Sequence, residues 1–423
     1  MRRRRFLAAV SALGLAGTAT ACSSTTDAVE TDDLQFFNDA ASWEPGYLAA
    51  GDVLRERTGW GLSPQTIPNA SSYEQVIRSL LQTQDPPDLV KWGSGYRMRD
   101  LARTGALAEL RSAWEASVDA GWLDDGMRQD FTFDGGLFGM PLIQGYYVMF
   151  YNVGVFEELG LEPPATWGQF LDVCHALKAA DVTPIGTTQM NIWPVANWFS
   201  MLAAAYDAAW YRALCQNEAS FLDDQAMGLM ELWQQMIRDG LHTSADSVSD
   251  NFPSMLASGR IGMQPTPVSW STQSMELAGM ESGTGFDAFL LPAVHDSSPT
   301  VVTEIAGLVV PERSRHRAEA TEALASWLAP EVQEPWSAFL NGSSANQQVT
   351  WSDPVSQRLQ STIRDQNLDV VNRYWENSPP PLVVGVTQDL GGFMADPSDP
   401  RGVLESLQRK AESEWSYWQE ATR

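Results

Sequence analysis

The alternation of strand and helix signals after residue 33 constrains this chain more than any single residue does. Leu34-Gln-Phe-Phe-Asn38 is a short apolar run with a polar end, the pattern of a buried strand. Leu48 to Thr58 reads as a helix, and Ile67 marks a second strand. Ser72 and Gln75 form a capping box before a helix whose Tyr73, Val76, Ile77, Leu80 and Leu81 fall on one face. Asp85-Pro-Pro-Asp88-Leu-Val-Lys-Trp92-Gly-Ser-Gly95 reads as a turn, a short strand and a glycine-bearing loop. Such an order demands a mostly parallel sheet covered by helices, and in such sheets ligands sit beyond the strand ends.

The remainder keeps this mixed character. Gly145 to Asn152 reads as a strand and Phe156 lies in a short helix. Thr166 with Gln169 caps a helix lined by Trp167, Phe170, Leu171, Cys174 and Leu177. Asn191 to Tyr211 and Gln225 to Arg238 read as helices. Arg260 to Trp270 reads as a strand followed by a loop. Phe286 to Ala293 and Val301 to Val310 are further strands, and Val403 to Trp418 is a closing helix. The chain has 423 residues, too many for one ordinary core, which predicts two lobes.

The N-terminus carries an address. Arg2 to Arg5 precede the apolar run Phe6 to Ala16, which is too short to span a bilayer. Gly17-Thr-Ala-Thr-Ala21 and Cys22 follow. The pattern resembles a bacterial lipoprotein signal, with residues 1–21 removed and lipid on Cys22, and Arg3-Arg4-Arg5-Phe6-Leu7 also resembles a twin-arginine export signal. Residues 22–33 then read as a polar tether.

The formal charge is −26, and losing Arg2 to Arg5 with a cleaved signal deepens it by four. A broad nucleic-acid surface or a polybasic membrane patch is thereby excluded. Cys174 and Cys215 are left either to form one disulfide or to stand as two buried thiols.

Four segments together resemble the extracellular solute-binding proteins of carbohydrate ABC importers, the group that includes maltose-binding protein. The first runs from Tyr73 to Leu110 and contains Pro87-Asp88-Leu89-Val90 and Gly105-Ala-Leu-Ala-Glu-Leu110. The second is Gly139-Met-Pro141 to Tyr151-Asn152, with Phe156, Gly160-Leu161 and Pro163-Pro-Ala-Thr-Trp167. The third is Gly259-Arg-Ile-Gly-Met263 with Trp270. The fourth is Ala306-Gly-Leu-Val-Val310 with the helix near 318–328, Glu331-Val-Gln333 and Asn341-Gly342.

The resemblance implies an α/β, two-lobed periplasmic-binding-protein-like fold. Each lobe would be a mostly parallel sheet flanked by helices, with ligand in the cleft and a hinge that closes on it. Residues 34–143 with 299–345 would form the first lobe, and 146–295 with 350–423 the second. Crossings are expected near 141–145, 292–299 and 345–350. The implied protein is a monomer without cofactor or metal. It would hand a sugar to a permease of the ABC transporter while held at the membrane by lipid.

Sugars present an apolar C–H face and a rim of hydroxyls, so a site needs flat aromatics beside carboxylates, amides or arginine. Trp43 and Glu44 follow the first strand and fit either a cleft loop or a surface turn. Asp88 to Tyr96 matches a family segment that meets sugar. It offers Asp88 and, as first-lobe platform, Trp92, whose alternative is a place in the core. Of Tyr146 and Tyr147, strand alternation lets only one face the cleft, and Tyr147 is chosen. Trp193 is preferred to Trp198. Trp270 is the foremost second-lobe aromatic, Glu304 is a ligand contact or a turn cap, and Arg373 and Trp375 are candidates from the C-terminal segment.

Enzyme signatures are missing from the sequence. The acid pairs Asp124-Asp125 and Asp223-Asp224 read as solvated surface, the four histidines are scattered, and there is no Gly-x-Ser-x-Gly elbow. A lipid-anchored glycosidase and a non-sugar receptor on the same fold stay as alternatives.

Overall fold

The computed structural model describes residues 33–421 except 69, 191, 296–297 and 342–343. The signal, Cys22 and the tether up to residue 32 lie outside the described residues. Asp33, the last tether residue, is held firmly: its carboxylate pairs with Arg55 at 2.9 Å.

The strands are β1 (Leu34–Asn38), β2 (Leu62–Thr66), β3 (Leu89–Gly93), the short pair β4 (Thr132–Phe133) and β5 (Gly136–Leu137), β6 (Met140–Asn152), β7 (Thr183–Ile185), β8 (Ile261–Pro267), β9 (Phe286–Phe289), β10 (Thr300–Val309) and β11 (Asp369–Asn372). The main sheet runs β2-β1-β3-β10-β6-β8-β7, with β11 on β10 and β9 on β6. β1, β2 and β3 are parallel, as the alternating order predicts. β10 enters antiparallel between β3 and β6, while β7 runs parallel to β8.

Two strands tie the molecule together. β6 pairs with β10 through Met140 to Tyr146, then with β8 and β9 from Tyr147 onward. β10 in turn pairs with β11 at its start and with β3 at its end. The side chains follow this division. Leu142, Ile143, Ile305 and Leu308 join a first core with Phe36, Tyr47, Trp327 and Trp336. Tyr147, Met149 and Tyr151 point into a second core with Trp198, Trp233 and Trp415. Val148 and Phe150, on the opposite face of the same strand, enter a smaller third core with Phe286 and Trp351.

Local signals were mostly realised. Thr166 accepts from Gln169 N, and the Gln169 side chain returns the bond, so this capping box is complete. The box expected at Ser72 is not formed, because the helix already begins at Ala70 and Ser72 lies inside it. The helix expected over 191–211 breaks at Asp207, whose carboxylate accepts from Trp210 N at 2.8 Å and starts a new one. After β8 the chain enters the helix Val268–Leu277 rather than a loop. Pro267 in extended conformation ends the strand there and leaves the next residues free to turn.

Candidate functional site

The carboxyl-terminal edges of β1 and β3 open onto a cleft of about 940 Å³ between the first and second cores. Its first wall holds Asp39, just past β1, and Lys91, Trp92 and Gly93 at the end of β3. Its second wall holds Trp193, Pro194 and Asn197, the β8 residues Gln264 to Pro267, and Ser271 and Ser274. The floor is built where β6 and β10 cross, from Ile143, Tyr147 and Glu304 to Ala306, with Arg373 and Glu376 following β11.

On the first wall, Lys91 Nζ pairs with Asp39 Oδ1. Burial opposes ionisation of Asp39, but Lys91 beside it, with Arg97 behind, holds its carboxyl below the usual range. Tyr73 Oη lies 3.0 Å from the Phe37 carbonyl and 2.5 Å from that of Lys91, fixing the mouth of β1 against β3. Trp92 donates its indole N–H to the Arg97 carbonyl at 2.9 Å. Arg97 also pairs with Glu74.

On the floor, the Arg373 guanidinium grips Glu376 through Nε and Nη2, both at 2.7 Å. Its Nη1 donates to Glu304 Oε2 at 2.9 Å and to the Tyr147 hydroxyl at 2.7 Å. The Tyr147 hydroxyl donates to Glu304 Oε2 at 3.0 Å, and Ser269 donates to Glu304 Oε1 at 2.6 Å. Burial alone disfavours a charged Arg373, but Glu376, Tyr147 and Glu304 keep it protonated. Burial also pushes the Tyr147 phenol well above its ordinary value, so it remains a neutral donor.

Cations and rings alternate across the cleft. Arg78 and Arg97 lie 5.6 and 5.7 Å from the Trp92 ring centre, and Arg97 lies 5.7 Å from Trp375. Trp375 meets Trp193 at 4.3 Å, and Arg373 stands 5.0 Å from Trp193. This row joins first-core Trp92 to second-core Trp375.

Two buried oxygens on the second wall, Asn197 Oδ1 and Gln264 Oε1, have no hydrogen-bond partner in the protein. Native proteins rarely leave buried acceptors unpaired, so these two leave unused acceptor capacity beside the cleft.

Trp92, Tyr147, Trp193, Glu304 and Arg373 are thus brought together on one cleft. Trp375 packs behind Trp193. Tyr146 turns away and stacks on Trp351 at 5.5 Å, as alternation requires. Trp198 is in the second core.

Three expectations are corrected. Trp43 lies 1% exposed in the first core, 5.5 Å from Trp336 and 6.3 Å from Tyr47, because its 3-10 turn points the ring inward. Glu44 starts the helix Glu44–Thr58 on the exposed surface, where a carboxylate favours the positive helix end. Asp88 precedes β3 and so sits at the wrong end of the parallel strands. It accepts from Gln35 N at 2.9 Å and Ser314 Oγ at 2.7 Å, locking the sheet rather than lining the cleft. Trp270 falls in the first turn of the helix Val268–Leu277, and its side chain lies outside the described residues.

Asp39, Lys91, Arg97 and Glu376 were missed by sequence reasoning. Lys91 had a signal: it is one of only three lysines and lies inside the flagged segment 88–96. Asp39 was one residue past the first strand, closer to the strand end than Trp43. Glu376 also had one: it lies three residues after Arg373, already a candidate, with which it pairs.

The first acid of each pair serves the backbone. Asp124 accepts from Gly126 N and Asp223 from Ser220 N, both at 2.9 Å. Cys174 and Cys215 are two buried free thiols, which resolves that alternative. Among the described residues, no group of three His, Cys, Asp or Glu could hold a metal ion, and no helix is long and apolar enough to cross a membrane.

Residues 56–334 match the bacterial extracellular solute-binding protein family, well over half of the chain, and the protein belongs to that family. An uncharacterised ABC transporter extracellular-binding protein of Pyrococcus horikoshii is 22% identical over 297 residues. The match covers 69% of this chain and 65% of that relative's length. Among solved structures, the solute receptor AcbH, described as preferring β-D-galactopyranose exclusively, superposes with a TM-score of 0.80 at 16% identity, over 92% of this chain and 99% of its own. A chitin oligosaccharide binding protein gives a TM-score of 0.77 at 14% identity, over 91% and 99%. The likeness establishes the two-lobed α/β solute-binding fold.

Proposed function

We propose that this protein captures a sugar or oligosaccharide in the interlobe cleft and delivers it, unchanged, to the permease of an ABC transporter. Residues 34–143 and 299–345 would move as one lobe against 146–295 and 350–423, bending near 141–145, 292–299 and 345–350. The chain would stand outside the cytoplasmic membrane as a monomer on a lipidated Cys22. The cleft itself carries this reading: the half-buried Trp193 ring, fixed donors and acceptors on the floor, and two unpaired buried acceptors suit a polyol with an apolar face, while Trp92, 2% exposed beneath Arg78 and Arg97, backs the first wall. The sugars named for AcbH and the chitin oligosaccharide receptor, and the transporter named for the Pyrococcus relative, support it.

The test is a melting-temperature screen against mono- and oligosaccharides, followed by small-angle scattering with the best binder. A raised melting temperature, compaction and chemically intact sugar are expected. Cleavage products would replace the receptor with a glycosidase. A binder found only among amino acids or peptides would make it a non-sugar receptor. Mass spectrometry of the native N-terminus decides the lipid: a mature chain starting elsewhere than a modified Cys22 removes the anchor.

A further inference from the structure

We infer that the cleft selects uncharged saccharides over acidic ones, and that Asp39, Glu74, Glu304 and Glu376 set this selection by neutralising the cations that face the ligand. This rests on the sugar reading above and adds which sugars are refused. The cations lining the cleft are Lys91, Arg97 and Arg373, set against the carboxylates Asp39, Asp250, Glu304 and Glu376. Each cation is already committed: Lys91 to Asp39, Arg97 to Glu74, and Arg373 to both Glu304 and Glu376. The Arg373 pairs are deeply placed, with side-chain exposures of 13% for Arg373, 5% for Glu304 and 1% for Glu376.

A uronate or aldonate would therefore enter a cleft whose carboxylates outnumber its cations. To gain a counterion it must displace a carboxylate already paired with that cation: the buried Glu304 or Glu376 on Arg373, or the partly exposed Asp39 on Lys91 and Glu74 on Arg97. Its own oxygens also match the site poorly. Asn197 Oδ1 and Gln264 Oε1 are acceptors without donors, and a carboxylate only accepts. A hydroxyl group donates to these oxygens. It also bonds to a paired ion without competing for the pair. Like-charge contact at such a site is strong enough to weaken binding by about tenfold or more.

The experiment uses calorimetry on the whole chain. Neutral di- and trisaccharides are screened first, then each binder is compared with the same saccharide oxidised to a uronate at C6 or to an aldonate at the reducing end. Oxidised forms should bind at least about tenfold more weakly, and the gap should narrow in high salt. Asp39→Asn removes the carboxylate that neutralises Lys91, so the ratio of acidic to neutral affinity should rise about tenfold or more. Glu304→Gln, which leaves Arg373 its bidentate partner, is the second variant, and thermal melting checks that each folds. Equal or tighter binding of the oxidised form by the native chain overturns the charge selection and leaves the sugar reading standing. A native gap that neither variant narrows overturns the roles given to these carboxylates. No binding by any saccharide, neutral or acidic, overturns both readings.

Discussion

Asp130→Asn should stabilise this protein at neutral pH. Asp130 sits in the 3-10 segment Asp125–Phe131 at 7% exposure, and its Oδ1 accepts from Asn372 Nδ2 at 2.6 Å. Burial is the largest influence on its carboxyl. The Asn372 bond and Arg99 oppose it, while Glu376 adds like-charge repulsion, and the outcome is a rise from the ordinary 3.8 to about 6. The folded state therefore holds this proton more tightly than the unfolded one. Stability from the protonated group is fully present below about pH 4 and is lost as pH rises through 6. By linkage the cost at pH 7 is on the order of 3 kcal/mol. Asparagine keeps the shape and the acceptor for Asn372 but cannot ionise. Urea unfolding at pH 4.5 and pH 7 should show the variant more stable by ~2–3 kcal/mol at pH 7 and by only ~1 kcal/mol at pH 4.5. A variant no more stable at pH 7, or a difference that does not change between the two pH values, would refute the reasoning.

Three further outcomes are expected. Tyr147→Phe removes the hydroxyl shared by Arg373 and Glu304 and should lower stability by ~1.5–3 kcal/mol in urea melts, with an unchanged midpoint counting against the network. Gly95→Ala places a methyl group at φ +60, 2.0 Å from the Glu376 carbonyl, and should cost ~2 kcal/mol or more while weakening saccharide binding; a neutral result would mean that the Glu376 segment shifts freely. Alkylation in denaturant without reductant should label both Cys174 and Cys215, and recovery of a disulfide-linked peptide would contradict the two free thiols.

The fold was legible because its signals are local. The parallel β1, β2 and β3 follow from apolar runs alternating with amphipathic helices, and Thr166 with Gln169 shows how a four-residue pattern dictates a helix start. Ser72 misled because the same pattern one turn into a helix looks identical. The cleft was half legible. Strand alternation put Tyr147 on the cleft side, whereas Trp92, at its strand end, is 2% exposed in the first core, the alternative its position also allowed. Trp43 and Asp88 failed for a reason no local pattern records: which end and which face of a parallel strand meets the ligand. Asp39 and Lys91 are partners fifty-two residues apart, so their roles emerge only when the chain is folded, whereas Glu376 meets Arg373 three residues away but joins the cleft only through Arg373's distant bonds to Glu304 and Tyr147.

The position of β10 has a consequence for the order of folding. It lies inside the first sheet, pairing Ala306 with Gly93 and Ile143, yet roughly two hundred residues separate Ala306 from Gly93. The chain up to β6 therefore cannot close its own sheet. Until residues 300–309 arrive, β3 and β6 expose unpaired backbone edges of the kind that recruit foreign strands. Such distant pairings close slowly, because the entropy of the intervening loop is lost before any contact forms. An emerging chain of this design passes through a long interval in which its N-terminal part is present but unfinished. That interval is where aggregation would compete and where a holding chaperone would act.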